Sequence, residues 1–204
     1  TKPVKVFFKL KRISTSDIPG HKDLLTAWIN SEKEEKNPKE DVKKIYKNAI
    51  DALKKDTVSI LTISDQNTIG LTFIENDNKC ALFNLIKNEN ITEKPGQTNP
   101  GGSYGHGKFA PFTVSGLRTI FYSTHYKDDE GVVRDHYMSR TVIRNHIGEN
   151  GEHLMPTGFY GKSGKTLSKD KDESVVQPIS DINDFPEWLK PNDPNEYGTS
   201  LNII

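Results

Sequence analysis

Leu61-Thr62-Ile63-Ser64-Asp65-Gln66-Asn67-Thr68-Ile69-Gly70-Leu71 runs from a strand into a turn without a break. Its upstream half continues Thr57-Val58-Ser59-Ile60 and is rich in β-branched residues, which suit a pleated, half-buried surface. Its downstream half carries Asp, Asn and Gly at close spacing, the residues that tolerate a chain reversal. The segment therefore predicts a strand that delivers Asp65 to the mouth of a turn. Asn67 and Gly70 shape the backbone beyond it.

Upstream, Val4 to Ile13 alternates apolar and basic residues and predicts a half-exposed strand. Ser14 to Gly20 is loop, and His21 to Asn30 is a short helix carrying Leu24, Leu25, Trp28 and Ile29. The charged stretch Ser31 to Lys36 reads as a solvated linker. Asn37-Pro38-Lys39-Glu40 has the form of a helix start, with Asn as cap and Pro in the first helical position. Val42, Ile45, Tyr46, Ala49, Ile50 and Leu53 then recur at helical spacing. Residues 14–56 thus form a helical insertion between two strands.

Downstream, Lys79 to Lys87 predicts a helix and Lys108 to Val114 a shorter one. Strands follow at Leu117 to Tyr126, Asp135 to His146 and His153 to Gly161, the last two as an antiparallel pair. Ser163 to Ser174 is charged and expected to be mobile, Asp184 to Leu189 is one helical turn, and Thr199 to Ile204 is a last strand. Strands and helices mix without a strict βαβ rhythm, so the class is α+β.

Length and composition fit that reading. The 204 residues suit a single domain, and 28 lysines and arginines balance 28 aspartates and glutamates. That balance gives no broad electrostatic grip on nucleic acid. Mean hydropathy is low, at −0.69, but nine Phe, seven Tyr and two Trp can cover much buried area. One cysteine excludes an intrachain disulfide framework and fits a reducing, cytoplasmic compartment. No apolar run approaches the roughly 18 residues of a membrane span. Both ends fall inside apolar runs, and the expectation is a fragment of a longer chain, cut at both ends.

The glycine-rich run Gly101-Gly102-Ser103-Tyr104-Gly105-His106-Gly107-Lys108 closes a long polar stretch that begins near Asn88. Gly102 to Lys108 nearly matches a P-loop, but Phe109 stands where a hydroxyl would hold Mg²⁺, and no apolar strand precedes it. Gly161-Lys162-Ser163-Gly164-Lys165-Thr166 lacks the first glycine and a following apolar helix. Glycines at 102, 105 and 107 let backbone amides approach a ligand, and Lys108 adds a charge suited to phosphate. A plain surface loop would carry the same composition.

The order of these segments resembles the GHKL ATPases: strand into Asp65-x-Asn67-x-x-Gly70, helix, long polar loop into Gly-x-x-Gly-x-Gly, and a distal Gly198-Thr199 before a strand. Leu61 to Leu71, Gly101 to Phe112 and Leu117 to Thr124 are most similar to a bacterial branch related to the MORC ATPases, encoded near restriction-type and phage-defence genes. The resemblance covers roughly residues 57 to 126 and the last few residues. It implies a two-layer sandwich, a mixed, mainly antiparallel sheet with helices on one face. It also implies ATP with Mg²⁺ as ligand, slow hydrolysis, lid closure and a homodimer in the ATP-bound state.

By the same resemblance, Asp65 accepts from the adenine amino group, Gly70 lets the backbone pass the base, and Thr199 bonds near the adenine behind Asp65. Asn67 lies in the same turn. Gly102, Gly105 and Gly107 form the hinge and amide cradle of a lid, from about Asn88 to Gly107, over the triphosphate, with Ser103, Tyr104, His106 and Lys108 among its nucleotide-binding residues. An ordinary turn aspartate would read like Asp65. The family's catalytic Glu and its Mg²⁺-binding Asn have no counterpart: Ile45 and Lys44 precede Asn48 where a Glu is needed. Asn48 and Asp51 fall on the inserted helix, and the catalytic helix is expected upstream of Thr1. The alternative is a catalytically inactive module that uses the same sheet to bind a protein or nucleic acid. Six scattered histidines and the lone Cys80 lack metal-ligand spacing and are read as packing and surface residues.

Overall fold

The computed structural model describes residues 2–75, 77, 79–87, 106–165, 174–191 and 193–204. Its centre is a six-stranded sheet built from β1 (Lys5–Ser14), β2 (Thr57–Gln66), β3 (Thr119–Lys127), β4 (Val133–Val142), β7 (Thr157–Tyr160) and β10 (Gly198–Ile203). Their order is β1-β2-β10-β3-β4-β7, so the last strand of the chain is inserted beside the second. Every described ladder is antiparallel, where a mixed sheet was expected. Two small ladders stand apart: β5 (His146–Ile147) with β6 (His153–Leu154), and β8 (Lys162–Lys165) with β9 (Ser174–Gln177).

β1 pairs with β2 along ten residues, from Lys5 opposite Gln66 to Ser14 opposite Thr57. The insertion between them folds into α1 (His21–Glu34) and α2 (Glu40–Leu53). These helices lie on one sheet face. Trp28 of α1 meets Tyr46 of α2 edge-on at 5.8 Å, and both pack in a cluster with Ile60, Phe121, Tyr137 and Ile204. Such an aromatic pair adds about 0.5–1.5 kcal/mol beyond its buried area.

Side chains alternate across a strand, so Ile120 and Tyr122 point away from Phe121, to the other face. There they meet α3 (Ala81–Ile86) and α4 (Ala110–Val114), in a cluster of Leu82, Phe83, Ile86, Phe112, Met138 and Ile203. The α+β class is as expected. Helices were expected on one face, but short ones cover part of the second as well.

Three local expectations are revised. α1 runs on through Ser31 to Glu34, because Ser31 is buried and donates to the carbonyl of Arg144 at 3.1 Å. α2 starts at Glu40 behind Lys39, while Asn37 takes a left-handed φ of 55° and turns the chain between the helices. Part of the charged stretch after Gly161 is paired in β8 and β9.

Candidate functional site

Asp65 stands at the end of β2 on the face that carries α3 and α4, opposite Val6 of β1. Its Oδ1 accepts the backbone N–H of Thr199 at 2.6 Å and the hydroxyl of Thr68 at 3.0 Å. The first bond ties β2 to β10; the second closes the turn that follows. A side chain at residue 198 would collide with this arrangement, since a Cβ on Gly198 would lie 2.1 Å from the carbonyl oxygen of Asp65.

Gly70 answers two demands at once. Its φ of 68° is left-handed, and a Cβ would come within 2.9 Å of the His125 carbonyl and the Tyr126 Cβ. The next amide, Leu71 N–H, donates to Thr124 Oγ1 at 2.8 Å, and Thr68 N–H donates to the carbonyl of Tyr197. The turn is thereby fastened to β3 and to the approach to β10. Asp65, Gly70 and Thr199, singled out along the sequence at widely separated positions, come together here.

Two polar atoms in this cluster remain uncommitted among the described residues: Asp65 Oδ2 and Thr199 Oγ1. They present a carboxylate acceptor beside a hydroxyl able to donate. A cavity of about 30 Å³, room for about one water, lies across the sheet from this pair, where Ser64, Ser123, Ser200, Phe185 and Leu189 line it.

The other expected residues fare differently. Asn67 has a left-handed φ of 62° and donates through Nδ2 to the carbonyl of Pro3 at 2.8 Å, so it serves the turn and the start of the chain. Lys108 donates to the carbonyl of Asn84 at 2.7 Å, and Arg140 donates to that of Ile86 at 3.0 Å. The two cations thus meet the carbonyl end of α3, where positive charge is favoured. Burial, then the nearby Arg140, lowers the Lys108 pKa. Burial also pushes the Lys87 ammonium down to about 8. His106 opens a single 3₁₀ turn, His106–Lys108, and a Cβ on Gly107 would meet nothing within 4 Å. Gly102, Ser103, Tyr104 and Gly105 lie outside the described residues, as does most of the expected lid from Asn88.

Asn48 and Asp51 are exposed on α2, whose buried residues pack on the opposite sheet face from the Asp65 side chain. Sequence reading missed Thr68 and Thr124, which hold the carboxylate and the turn; a threonine in a strand or turn gives no signal of such a role. It also missed a buried network behind them. His136 contacts Ser180 Oγ at 2.9 Å and Tyr126 Oη at 3.2 Å, and burial pushes its pKa down to about 4. His125 lies between Asp135 and the Pro194 carbonyl, at 2.8 and 3.0 Å.

Among the described residues no group of three or more His, Cys, Asp or Glu is placed to hold a metal ion. No helix there is long and apolar enough to cross a membrane. No family model, curated protein or solved structure matches the chain.

Proposed function

We propose that the chain binds an adenine nucleotide with Asp65 and Thr199 against the base. The observation that carries this is the pairing of an uncommitted carboxylate oxygen with an uncommitted hydroxyl, on a carboxylate already oriented by Thr199 N–H and Thr68. Adenine offers an amino donor beside a ring-nitrogen acceptor along its Watson–Crick edge, the complement of an acceptor beside a donor. Guanine offers a carbonyl and a ring N–H there, which reverses the pattern. The resemblance to the GHKL ATPases points the same way and supplies the expectation of ATP. No hydrolytic step is assigned to the described residues.

Titration calorimetry with a non-hydrolysable ATP analogue tests the reading. The expected result is saturable binding, selective over GTP, and weakened about ten- to a hundredfold in Asp65→Asn with the fold intact. Equal binding of ATP and GTP by the folded chain refutes it.

A second reading, as a partner-binding module, draws on a separate observation. Val6, Phe8 and Leu10 of β1 are 57%, 69% and 77% exposed on the same face as Asp65. The family resemblance implies an upstream helix on this face, and such a helix would cover them. If it exists, an upstream-extended chain protects β1 amides from hydrogen exchange; if a partner covers the stripe instead, extension leaves them unprotected.

A further inference from the structure

On the opposite sheet face, α1 and strands β3, β4 and β7 enclose a cavity of about 320 Å³, within the range of small-molecule sites. Its walls are largely apolar, with Leu24 from α1, Phe121 and Tyr160 from the sheet, and Ile143 beyond β4. Met155, 74% exposed, stands at its rim. Gly158 of β7 points to this face, opposite Thr141, and a Cβ there would meet nothing within 4 Å. The missing side chain keeps the cavity open.

Two buried polar groups line it without a protein partner among the described residues. Ser139 is 2% exposed, and its hydroxyl makes no hydrogen bond. His146 is 7% exposed; its Nδ1 donates to the Arg144 carbonyl at 3.0 Å, which leaves Nε2 as an acceptor. Neither atom is wholly buried, so both open on the cavity and are within reach of a ligand. The only charged side chain lining the cavity among the described residues is Asp23, exposed at the mouth in the first turn of α1. The positive end of α1 carries about half a charge, so a full carboxylate outweighs it and the mouth is net negative.

We propose that this cavity is a binding site for a small planar amine: an apolar ring, carrying an N–H donor, with a cationic amino group. The ring fills the space beside Gly158 between Phe121 and Tyr160. Its N–H is accepted by His146 Nε2 or Ser139 Oγ, and the ammonium group lies at Asp23. The site is independent of the nucleotide reading, because the Asp65 side chain belongs to the other face of the sheet.

The test is calorimetric titration of the whole chain with tryptamine, set against indoleacetate, the same ring system with the opposite charge. Tryptamine saturates one site per chain and binds at least about tenfold more tightly than indoleacetate. Gly158→Phe abolishes tryptamine binding without lowering the melting temperature, since the ring enters open space. Asp23→Asn lies on the exposed rim and brings the two ligands to near-equal affinity; it carries the test if Gly158→Phe does not fold. Three results overturn the proposal: no saturable tryptamine binding by the folded wild-type chain, unchanged binding in folded Gly158→Phe, or indoleacetate binding as tightly as tryptamine.

Discussion

β3 and β1 belong to one sheet and have nearly equal lengths, yet they meet opposite fates. All but the last residue of β3 are buried, whereas none of β1 is. β3 lies between β10 and β4 and feeds apolar clusters on both faces, through Phe121 on one and Ile120 and Tyr122 on the other. Among the described residues β1 pairs only with β2, which leaves the other edge of its backbone without a neighbouring strand there. Val6, Phe8 and Leu10 stand bare on one face, and Lys5, Lys9 and Lys11 occupy the other. Alternation of apolar residues thus specifies which side a strand offers, and says nothing of what covers that side.

Substitutions sharpen that contrast. The largest effect is expected at Gly198, where β10 crosses Asp65. Gly198→Ala drives a Cβ to 2.1 Å from a backbone oxygen, and the loss of stability reaches at least about 4 kcal/mol by urea denaturation. A near-neutral result would mean that β10 sits further from β2 than described. Next, Ile120→Ala on β3 removes a fully buried side chain between α3, α4 and the sheet, at a cost of about 2–5 kcal/mol.

The interior also carries a titration. His136 is held neutral by burial, with a folded pKa of about 4 against an ordinary value of 6.5. The unfolded chain therefore binds more protons between those values. Stability is fully present above about pH 6.5 and falls by on the order of 2–3 kcal/mol as the pH drops towards 4. Urea midpoints across that range measure the slope, and His136→Gln should flatten it.

The smallest effect is expected on β1. Phe8→Ala changes stability by within about 0.5 kcal/mol, because the ring already faces solvent. If its loss proves as costly as that of Ile120, β1 has a cover and the contrast between the strands fails.

Much of the framework was legible. Val4 to Ile13 and Thr57 to Ser64 announced their strands through alternation and β-branching, and the helical insertion between them followed from spacing. The meeting of Asp65 and Thr199 was legible only through a family resemblance, since 134 residues separate the two partners in sequence. Asn67 reads two ways in sequence, because the same residue suits a pocket and a left-handed turn, and its amide here donates to Pro3. Lys108 reads two ways as well: beside glycines a lysine suggests phosphate, and the end of α3 also offers it carbonyls. Thr124 gave no warning, because its role depends on a turn that returns from another strand.

The central proposal is that Asp65 reads the amino group of adenine. The most direct measurement compares ATP with purine riboside triphosphate, which lacks only that group, in wild type and in Asp65→Asn. Removing a hydrogen bond to a charged acceptor should weaken wild-type binding by about ten- to a hundredfold. The account predicts that the ratio collapses towards one in Asp65→Asn, because the amino group then has no charged acceptor to lose. The same ratio in both proteins would contradict it and assign the base to some other part of the chain.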